Sequence, residues 1–193
     1  MIHCEKNLLG DDAAIFTLTD LLSPDECAGF IRQTERAGFD SAPVTTSRGF
    51  VMMPDLRNNT RVMVDDLEQA RWLWARLAPF VPARLGPWRA VGVNERFRYY
   101  RYDPGQYFRW HGDGAFIRSE VERSLYTAMV YLNDECDGGT TDFRDGVSVA
   151  PRRGMGLVFE HHLVHQGAPV ARGRKYVLRT DVMYRRDAGP SAD

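Results

Sequence analysis

Beyond residue 90 the chain consists of short apolar or alternating runs, separated by Gly, Pro, Asp and Asn. Several short strands with turn residues between them are typical of an antiparallel sandwich or barrel, and jelly rolls are built in this way. Helical patterns occur in the first half alone, so we predict an α+β, mainly β fold in which the helices buttress one sheet. The predicted strands are residues 91–102, 124–132, 140–143, 147–149, 155–159 and 175–184.

Two helices are predicted in the first half of the chain. Ser23 offers an N-cap, Pro24 stands at the first helical position, and acidic residues follow, so a helix begins here and runs towards Gly38. Apolar residues at helical spacing predict a second helix over residues 65–77. An apolar stretch at residues 14–18 indicates a strand before the first helix.

We expect a single domain over residues 1–185, because 193 residues suffice for one sizeable core and no linker divides them. Residues 186–193 have the composition of a disordered tail. The formal net charge of -1 offers no bulk attraction to nucleic acid or to an anionic membrane, and no apolar run is long enough to span a bilayer. Three widely spaced cysteines and a charged N-terminus favour a cytoplasmic protein with reduced thiols. The sequence leaves the oligomeric state open.

Residues 41–61 are polar, contain Gly49 and Pro54, and follow neither the helical nor the strand period. A stretch of this kind is typical of a surface loop, which is our prediction. A lid that covers a ligand site is the alternative.

The segment YDPGQYFRWHGD, residues 102–113, places two metal-ligating side chains two positions apart. In extended backbone His111 and Asp113 project from the same face and can converge on one ion. A later histidine in a β context, His165, would complete a two-His, one-carboxylate facial triad, which suits Fe(II) and leaves coordination sites open. By itself the His-Gly-Asp motif is equally compatible with a surface turn.

His161 and His165 also have the i, i+4 spacing of a helical zinc site. That class of site needs a glutamate directly after the first histidine, where this chain has His162, and Gly167 and Pro169 oppose a helix. We therefore interpret His161 and His162 as solvent-facing residues, or as neighbours of the ligands at a strand end.

Lys175 opens the last run, and strand alternation places it on the same face as Val177. A lysine is rarely buried without a partner, because its desolvation costs several kcal/mol. A bound dicarboxylate would supply that partner. Arg174 is the competing cation, but the spacing from Gly173 and Tyr176 favours Lys175.

In their order along the chain, these segments resemble the prolyl 4-hydroxylase-like branch of the Fe(II)/2-oxoglutarate-dependent dioxygenases. The resemblance implies a double-stranded β-helix that hydroxylates a prolyl (peptidyl) or related substrate while 2-oxoglutarate is decarboxylated to succinate. Fe(II), 2-oxoglutarate and O2 are the implied cofactors, and ascorbate is a candidate reductant. The segments are YDPGQYFRWHGD (102–113), YLN (131–133), GGTTDF (138–143), VAPRRGMGLVF (149–159) and HQGAPVARGRKYVL (165–178).

Carried across by position, the resemblance implies that His111, Asp113 and His165 are the iron ligands and the catalytic residues. Lys175 takes the position of the cation that pairs with the distal carboxylate of 2-oxoglutarate. Other candidates for contact with the co-substrate are Tyr102, Tyr131 and Thr127. Both tyrosines would serve equally as core aromatics.

Arg179 and Asp181 share the strand face of Lys175 if the alternation continues. They would either pair with each other or reach the co-substrate or substrate near the iron. We expect Arg179→Leu to abolish turnover and to leave the fold intact. Arg98 and Tyr100 are candidate substrate contacts, together with Asp181.

The substrate could be a peptide or a small molecule such as a free amino acid. Thr140 stands where relatives carry Glu, and the last strand continues as RTDVMY, where an aromatic residue is more typical. Two other functions stay open. One is a catalytically inactive jelly roll that binds a metal or ligand as a sensor or scaffold. The other is a cupin-like metal enzyme without 2-oxoglutarate, in which Lys175→Ala would retain activity.

Overall fold

The computed structural model describes residues 4–10, 14–46 and 49–187, and in these residues strands predominate and helices are confined to the first half. Up to residue 102 the elements are β1 (Lys6–Leu8), β2 (Ile15–Leu18), α1 (Pro24–Ala37), β3 (Asp40–Ser41), β4 (Val44–Thr46), β5 (Gly49–Val51), β6 (Thr60–Asp65), α2 (Leu67–Leu77), β7 (Arg84–Leu85), β8 (Trp88–Val93) and β9 (Arg96–Tyr102). Beyond it they are β10 (Phe108–His111), β11 (Ile117–Ser119), β12 (Glu122–Tyr131), β13 (Cys136–Gly138), β14 (Thr141–Phe143), β15 (Ser148–Val149), β16 (Gly156–Glu160), β17 (His165–Gly167), β18 (Val170–Gly173) and β19 (Lys175–Arg186). The predicted fold class is confirmed.

Both helices begin at side chains that cap their first turn. Ser23 Oγ accepts from the Glu26 backbone N–H at 3.2 Å, and the Glu26 carboxylate accepts from the Ser23 N–H at 2.8 Å, which forms a capping box. In α2 the Asp66 carboxylate accepts from two backbone N–H groups at 2.9 Å, so this helix begins at Leu67, slightly later than predicted.

The strands form two principal sheets. In the larger sheet the strand order is β1-β2-β16-β12-β19-β9-β6-β3, with β11 beside β12 and the β7–β8 hairpin beside β19. The smaller sheet has the order β10-β17-β14-β15. Two further antiparallel pairs, β13–β18 and β4–β5, complete the described strands.

Because side chains alternate along each strand, the two faces of the larger sheet contribute to different hydrophobic cores. Tyr99 and Leu178 pack in one cluster with Leu73 and Leu77 of α2. Their strand neighbours, such as Val177, belong to a second cluster that also includes Phe143 of the smaller sheet and the aromatic residues Tyr100, Tyr102 and Phe159. The helices therefore buttress one face of the larger sheet, as predicted, and the other face meets the smaller sheet in a double-stranded β-helix.

Three predictions of segments need correction. The predicted strand 91–102 is split at Asn94, whose N–H donates to the Asp181 carbonyl at 2.8 Å and whose carbonyl accepts from Thr180 Oγ1 at 2.6 Å. The stretch 41–61 contains strands and the buried Arg57, so it is not a plain surface loop. The last strand extends through Arg186, and residues 188–193 of the predicted tail lie outside the described residues. No helix in the described part of the chain is long and apolar enough to cross a membrane.

Candidate metal centre

His111, Asp113 and His165 come together at one edge of the smaller sheet. His111 ends β10 and His165 begins β17, and the two residues are direct partners in the strand register. Asp113 follows two residues later, where its N–H donates to the His161 carbonyl at 3.0 Å. One ligand atom from each of the three side chains lies within 4.8 Å of the others, which is a spacing that one metal ion can bridge.

Backbone carbonyls orient both imidazole rings. His111 Nδ1 lies 2.7 Å from the Arg109 carbonyl, and His165 Nδ1 lies 2.9 Å from the Leu163 carbonyl. A carbonyl can only accept, so Nδ1 carries the proton in each ring. Nε2 is left with its lone pair free, and it lies 3.8 Å from a carboxylate oxygen of Asp113 in each case. This tautomer is the one that allows a histidine to bind a metal ion through Nε2.

The protonation states also fit a metal site. Burial, together with the neighbouring His165, lowers the pKa of His111 to about 4, and burial lowers the pKa of His165. Burial alone would raise the pKa of Asp113, but the nearby Arg179, His165 and His111 outweigh it and hold that pKa well below its usual range. At neutral pH the cluster therefore offers two neutral imidazoles and a carboxylate, the donor set that suits Fe(II).

Thr127 supports Asp113 and is not among the residues that line the cavity, so its contact with a co-substrate stays a prediction. Its hydroxyl donates to Asp113 Oδ2 at 2.6 Å. His161 is buried behind it, with Nδ1 3.0 Å from Thr127 Oγ1 and Nε2 2.7 Å from Ser124 Oγ. His162 is exposed and pairs with Glu160 at 3.0 Å. The interpretation of these two histidines as a neighbour of the ligands and a solvent-facing residue agrees with these positions.

Arg179 and Asp181 lie beside the triad in one ion-pair network. Arg179 Nη2 lies 3.0 Å from Asp113 Oδ2 and 3.2 Å from Asp181 Oδ1. Asp181 Oδ2 also accepts from Arg98 at 3.2 Å. Arg179 and Asp181 therefore pair with each other, which is one of the two predicted alternatives. Both also line the cavity.

We expect Arg179→Leu to lower the free energy of unfolding of the metal-free protein by about 3–5 kcal/mol, because Asp113 and Asp181 would lose their shared cation in a buried position. The expectation that the variant folds but loses turnover stays a prediction, to which this loss of stability is added. Urea denaturation at neutral pH measures the effect. Arg185→Leu, on the same strand, removes the ion pair of a half-exposed arginine with Glu122, which keeps Arg118 as a partner, and should cost less than about 1 kcal/mol. Equal stability of the two variants would refute the buried network.

Lys175 is buried, with 1% of its surface exposed, and Nζ donates to the Gly139 carbonyl at 2.5 Å. It forms no ion pair with a carboxylate among the described residues, and burial lowers its pKa to about 8. Gly139 has φ +65°, and a Cβ there would lie 3.0 Å from Lys175 Cδ, so glycine permits the close approach. Arg174 is half-exposed and pairs with Asp103, which supports Lys175 as the interior cation.

Tyr102 and Tyr131 flank Lys175, whose Nζ lies 4.8 Å and 5.7 Å from the two ring centroids. Tyr102 lines the cavity. Tyr131 is fully buried outside the lining, and its hydroxyl donates at 2.7 Å to Thr141, which does line it. Thr141 therefore lies between the Tyr131 hydroxyl and the cavity, and the contact of Tyr131 with the co-substrate stays a prediction.

A cavity of about 380 Å³ opens above the triad. Most of the predicted site residues line it, and sequence reasoning missed Arg57, Phe108 and Thr141. Arg57 carried no signal, because its segment lacks periodicity. The predicted residues at the wall are Arg98, Tyr100, Tyr102, His111, Asp113, His165, Lys175, Arg179 and Asp181.

Comparison with known proteins shows that part of the chain is similar to oxygenases. Residues 97–180 match the model of the 2OG-Fe(II) oxygenase superfamily. No curated protein matches the chain.

Solved structures with a similar fold include several prolyl hydroxylases. A viral collagen prolyl hydroxylase from Paramecium Bursaria Chlorella virus-1, in its 2OG complex, is 20% identical with a TM-score of 0.58 over 89% of this chain and 96% of that one. A prolyl-4-hydroxylase from Pseudomonas putida is 19% identical with a TM-score of 0.62 over 91% and 94%. A prolyl hydroxylase from Trichoplax adhaerens, in complex with a hypoxia inducible factor peptide fragment, is 16% identical with a TM-score of 0.67 over 88% and 83%.

Proposed function

We propose that the protein hydroxylates a prolyl residue of a peptide or a related small molecule, in line with the match of residues 97–180 to the model of the 2OG-Fe(II) oxygenase superfamily. The observation that carries the proposal is the convergence of the triad and the buried Lys175 on one cavity. An inactive sensor or scaffold is disfavoured, because the family model that residues 97–180 match is one of oxygenases.

In this proposal His111, Asp113 and His165 hold Fe(II) through Nε2, a carboxylate oxygen and Nε2. Bound Fe(II) and 2-oxoglutarate supply the activation of O2, in which the co-substrate is decarboxylated to succinate and the substrate C–H bond is hydroxylated. Thr127 and Arg179 keep the Asp113 carboxylate ionised and fix its orientation through contacts of 2.6 Å and 3.0 Å.

Lys175 binds the distal carboxylate of 2-oxoglutarate in this account. Its ammonium is buried without a carboxylate partner among the described residues, and it carries further donors besides the one used for Gly139. A dianionic ligand would supply the missing counter-charge. Tyr102, beside Lys175 and with a pKa raised to about 12 by burial, stays a neutral phenol and can donate a hydrogen bond to the same ligand.

Succinate formation tests the proposed function. Metal-stripped protein is supplied with 2-oxoglutarate, O2 and ascorbate, with or without Fe(II), and with or without proline-containing peptides. We expect succinate only when Fe(II) is present, and faster formation when a substrate is added. Failure to detect iron-dependent succinate under any of these conditions would favour a ligand-binding scaffold instead.

The affinity for 2-oxoglutarate is expected to depend on pH above about 8. Because Lys175 has a pKa of about 8 in the ligand-free protein, binding below that pH meets an ammonium that is already charged. Above it, binding must take up a proton, so the dissociation constant should rise by up to about tenfold per pH unit. Calorimetric titration with Zn(II) in place of Fe(II) measures this. In Lys175→Arg the guanidinium stays charged, and the rise should disappear; a rise in both proteins would assign it to another group.

A further inference from the structure

Arg57 is held against the strand that carries His111. It forms an isolated bridge with Phe108 of β10, and the Leu56 carbonyl accepts from the Arg109 N–H at 2.9 Å. On the other side of the bridge, the Asn58 N–H donates to the Tyr107 carbonyl at 3.3 Å. The backbone around Arg57 is therefore fixed next to the triad, although the sequence gives it no strand pattern.

The Arg57 side chain is held in place by its neighbours, but one of its donors has no hydrogen-bond partner. It is 4% exposed, and its guanidinium lies 4.5 Å from the Tyr100 ring centroid and 4.4 Å from that of Phe108. Nε donates to Asn59 Oδ1 at 2.7 Å and the guanidinium also hydrogen-bonds the Tyr100 phenol, whereas Nη2 is buried without a hydrogen-bond partner. No carboxylate of the described residues lies within ion-pair distance of Arg57. Leaving a buried charged donor unpaired costs more than an ordinary hydrogen bond contributes.

The charges around the cavity are strongly unbalanced. Asp113 and Asp181 are the carboxylates among the described wall residues, and Arg179 and Arg98 already pair with them. A divalent iron and a 2-oxoglutarate dianion would together add no net charge. The cationic side chains of the wall are Arg57, Arg61, Arg96, Arg98, Lys175 and Arg179, of which Arg96 pairs with Asp65 outside the wall.

The pKa of Tyr100 reflects the same excess of positive charge. Burial should raise the pKa of its phenol, yet Arg57, Arg179 and Arg98 outweigh burial, so the pKa is lowered. The region around Tyr100 therefore stabilises negative charge. This region lies at the wall of the cavity, on the strand that precedes the metal ligands.

We propose that Arg57, with Arg98 at the same cavity wall, binds a carboxylate of the substrate, so that the oxidised C–H bond belongs to a molecule with a free carboxylate close by. The proposal rests on the proposed function and narrows its substrate class. A guanidinium presents a planar fork that matches a carboxylate, and the stacking on Tyr100 and Phe108 fixes the plane of that fork. A residue that served packing alone would not need a charge here, and Arg57 is one of the residues that line the cavity.

The size of the cavity fits a compact carboxylate. Its volume of about 380 Å³ lies near the lower end of the range for small-molecule sites, and 2-oxoglutarate would occupy part of it. A free amino acid and the C-terminal residue of a peptide present the same α-carboxylate, whereas an internal peptide residue presents none.

Matched pairs of carboxylates and amides test the proposal. The pairs are L-proline with L-prolinamide, a proline-terminated tripeptide with its amide, and the common L-amino acids with their amides. Binding is measured by titration calorimetry on protein loaded with Zn(II) and 2-oxoglutarate, and stimulated succinate release is measured with Fe(II). We expect at least one carboxylate to bind about 10- to 100-fold more tightly than its amide, which is the effect of one charged hydrogen-bond pair. The pair that shows the preference separates a free amino acid from a peptide C-terminus.

The variant Arg57→Met should lose this preference, and Arg57→Lys should retain part of it, because a point charge replaces the fork. Arg96→Met is the matched control, since Arg96 also lines the cavity but is paired with Asp65 at 2.8 Å; it should keep the preference. Absence of any carboxylate preference in wild type, or an unchanged preference in folded Arg57→Met or Arg57→Lys, overturns the proposal. Neither result affects iron-dependent succinate formation in the absence of substrate. If that succinate were not formed, the proposed function itself would be contradicted.

Discussion

His165→Ala is expected to abolish iron binding and, with it, iron-dependent succinate formation. The remaining pair, His111 and Asp113, sits two positions apart on one segment, and two ligands cannot define the face of an octahedral site. Changes to residues that only support metal ligands already weaken binding roughly 10- to 100-fold, so loss of a ligand should exceed about 100-fold. Titration of the metal-free protein with Fe(II) under anaerobic conditions measures the dissociation constant directly.

His162→Ala is the matched control for that variant. His162 lies three positions away, is exposed, and pairs with Glu160 rather than with the cluster. It should bind iron as wild type does. If His165→Ala bound iron with the affinity of His162→Ala, the triad would not be the metal site.

Lys175→Met is expected to have opposite effects on 2-oxoglutarate binding and on stability. Truncating one partner of a buried charge pair costs about 2–5 kcal/mol, so the dissociation constant for 2-oxoglutarate should rise roughly 30-fold or more. The ligand-free protein should instead become more stable, because a buried cation without a carboxylate partner among the described residues is replaced by an apolar chain of similar length.

The pH dependence identifies the source of that stability change. The folded pKa of Lys175, about 8, lies below its ordinary value, so between these two pH values the unfolded chain binds more protons than the folded one. The free energy of unfolding of the wild type should therefore rise relative to that of Lys175→Met as pH increases from about 8. The difference in stability between the two proteins should shrink. Urea denaturation of both proteins at pH 7 and pH 9.5 measures it.

Arg174→Met serves as the control for the Lys175 variant. Arg174 is the neighbouring cation, but its guanidinium is half-exposed and pairs with Asp103. It should leave the affinity for 2-oxoglutarate within a few-fold of wild type. Unchanged affinity in Lys175→Met would point to a metal enzyme that does not use 2-oxoglutarate.

The features that local sequence determines were predictable. The capping box at Ser23 needs residues three positions apart, and it starts α1 at the expected place. Alternation along β19 depends on the strand period alone, so the shared interior face of Lys175, Arg179 and Asp181 followed from the sequence. The sequence left open whether Arg179 pairs with Asp181 or reaches a ligand. Spacing within one strand does not show which side chains of other strands lie nearby.

The features that depend on tertiary contacts were not predictable. Arg57 is buried because its segment docks on β10, and that contact has no local pattern. Thr127 meets Asp113 and Tyr131 meets Thr141 across different strands, so a shared strand face could not distinguish wall residues from supporting ones. The break at Asn94 likewise depends on its hydrogen bonds with β19.

A crystal structure of the protein with 2-oxoglutarate and an inert divalent metal tests the central claim most directly. We predict the metal on Nε2 of His111, a carboxylate oxygen of Asp113 and Nε2 of His165, with the distal carboxylate of 2-oxoglutarate on Lys175 Nζ. A metal bound away from these three side chains, or a distal carboxylate on Arg174 or Arg57 in place of Lys175, would contradict the account.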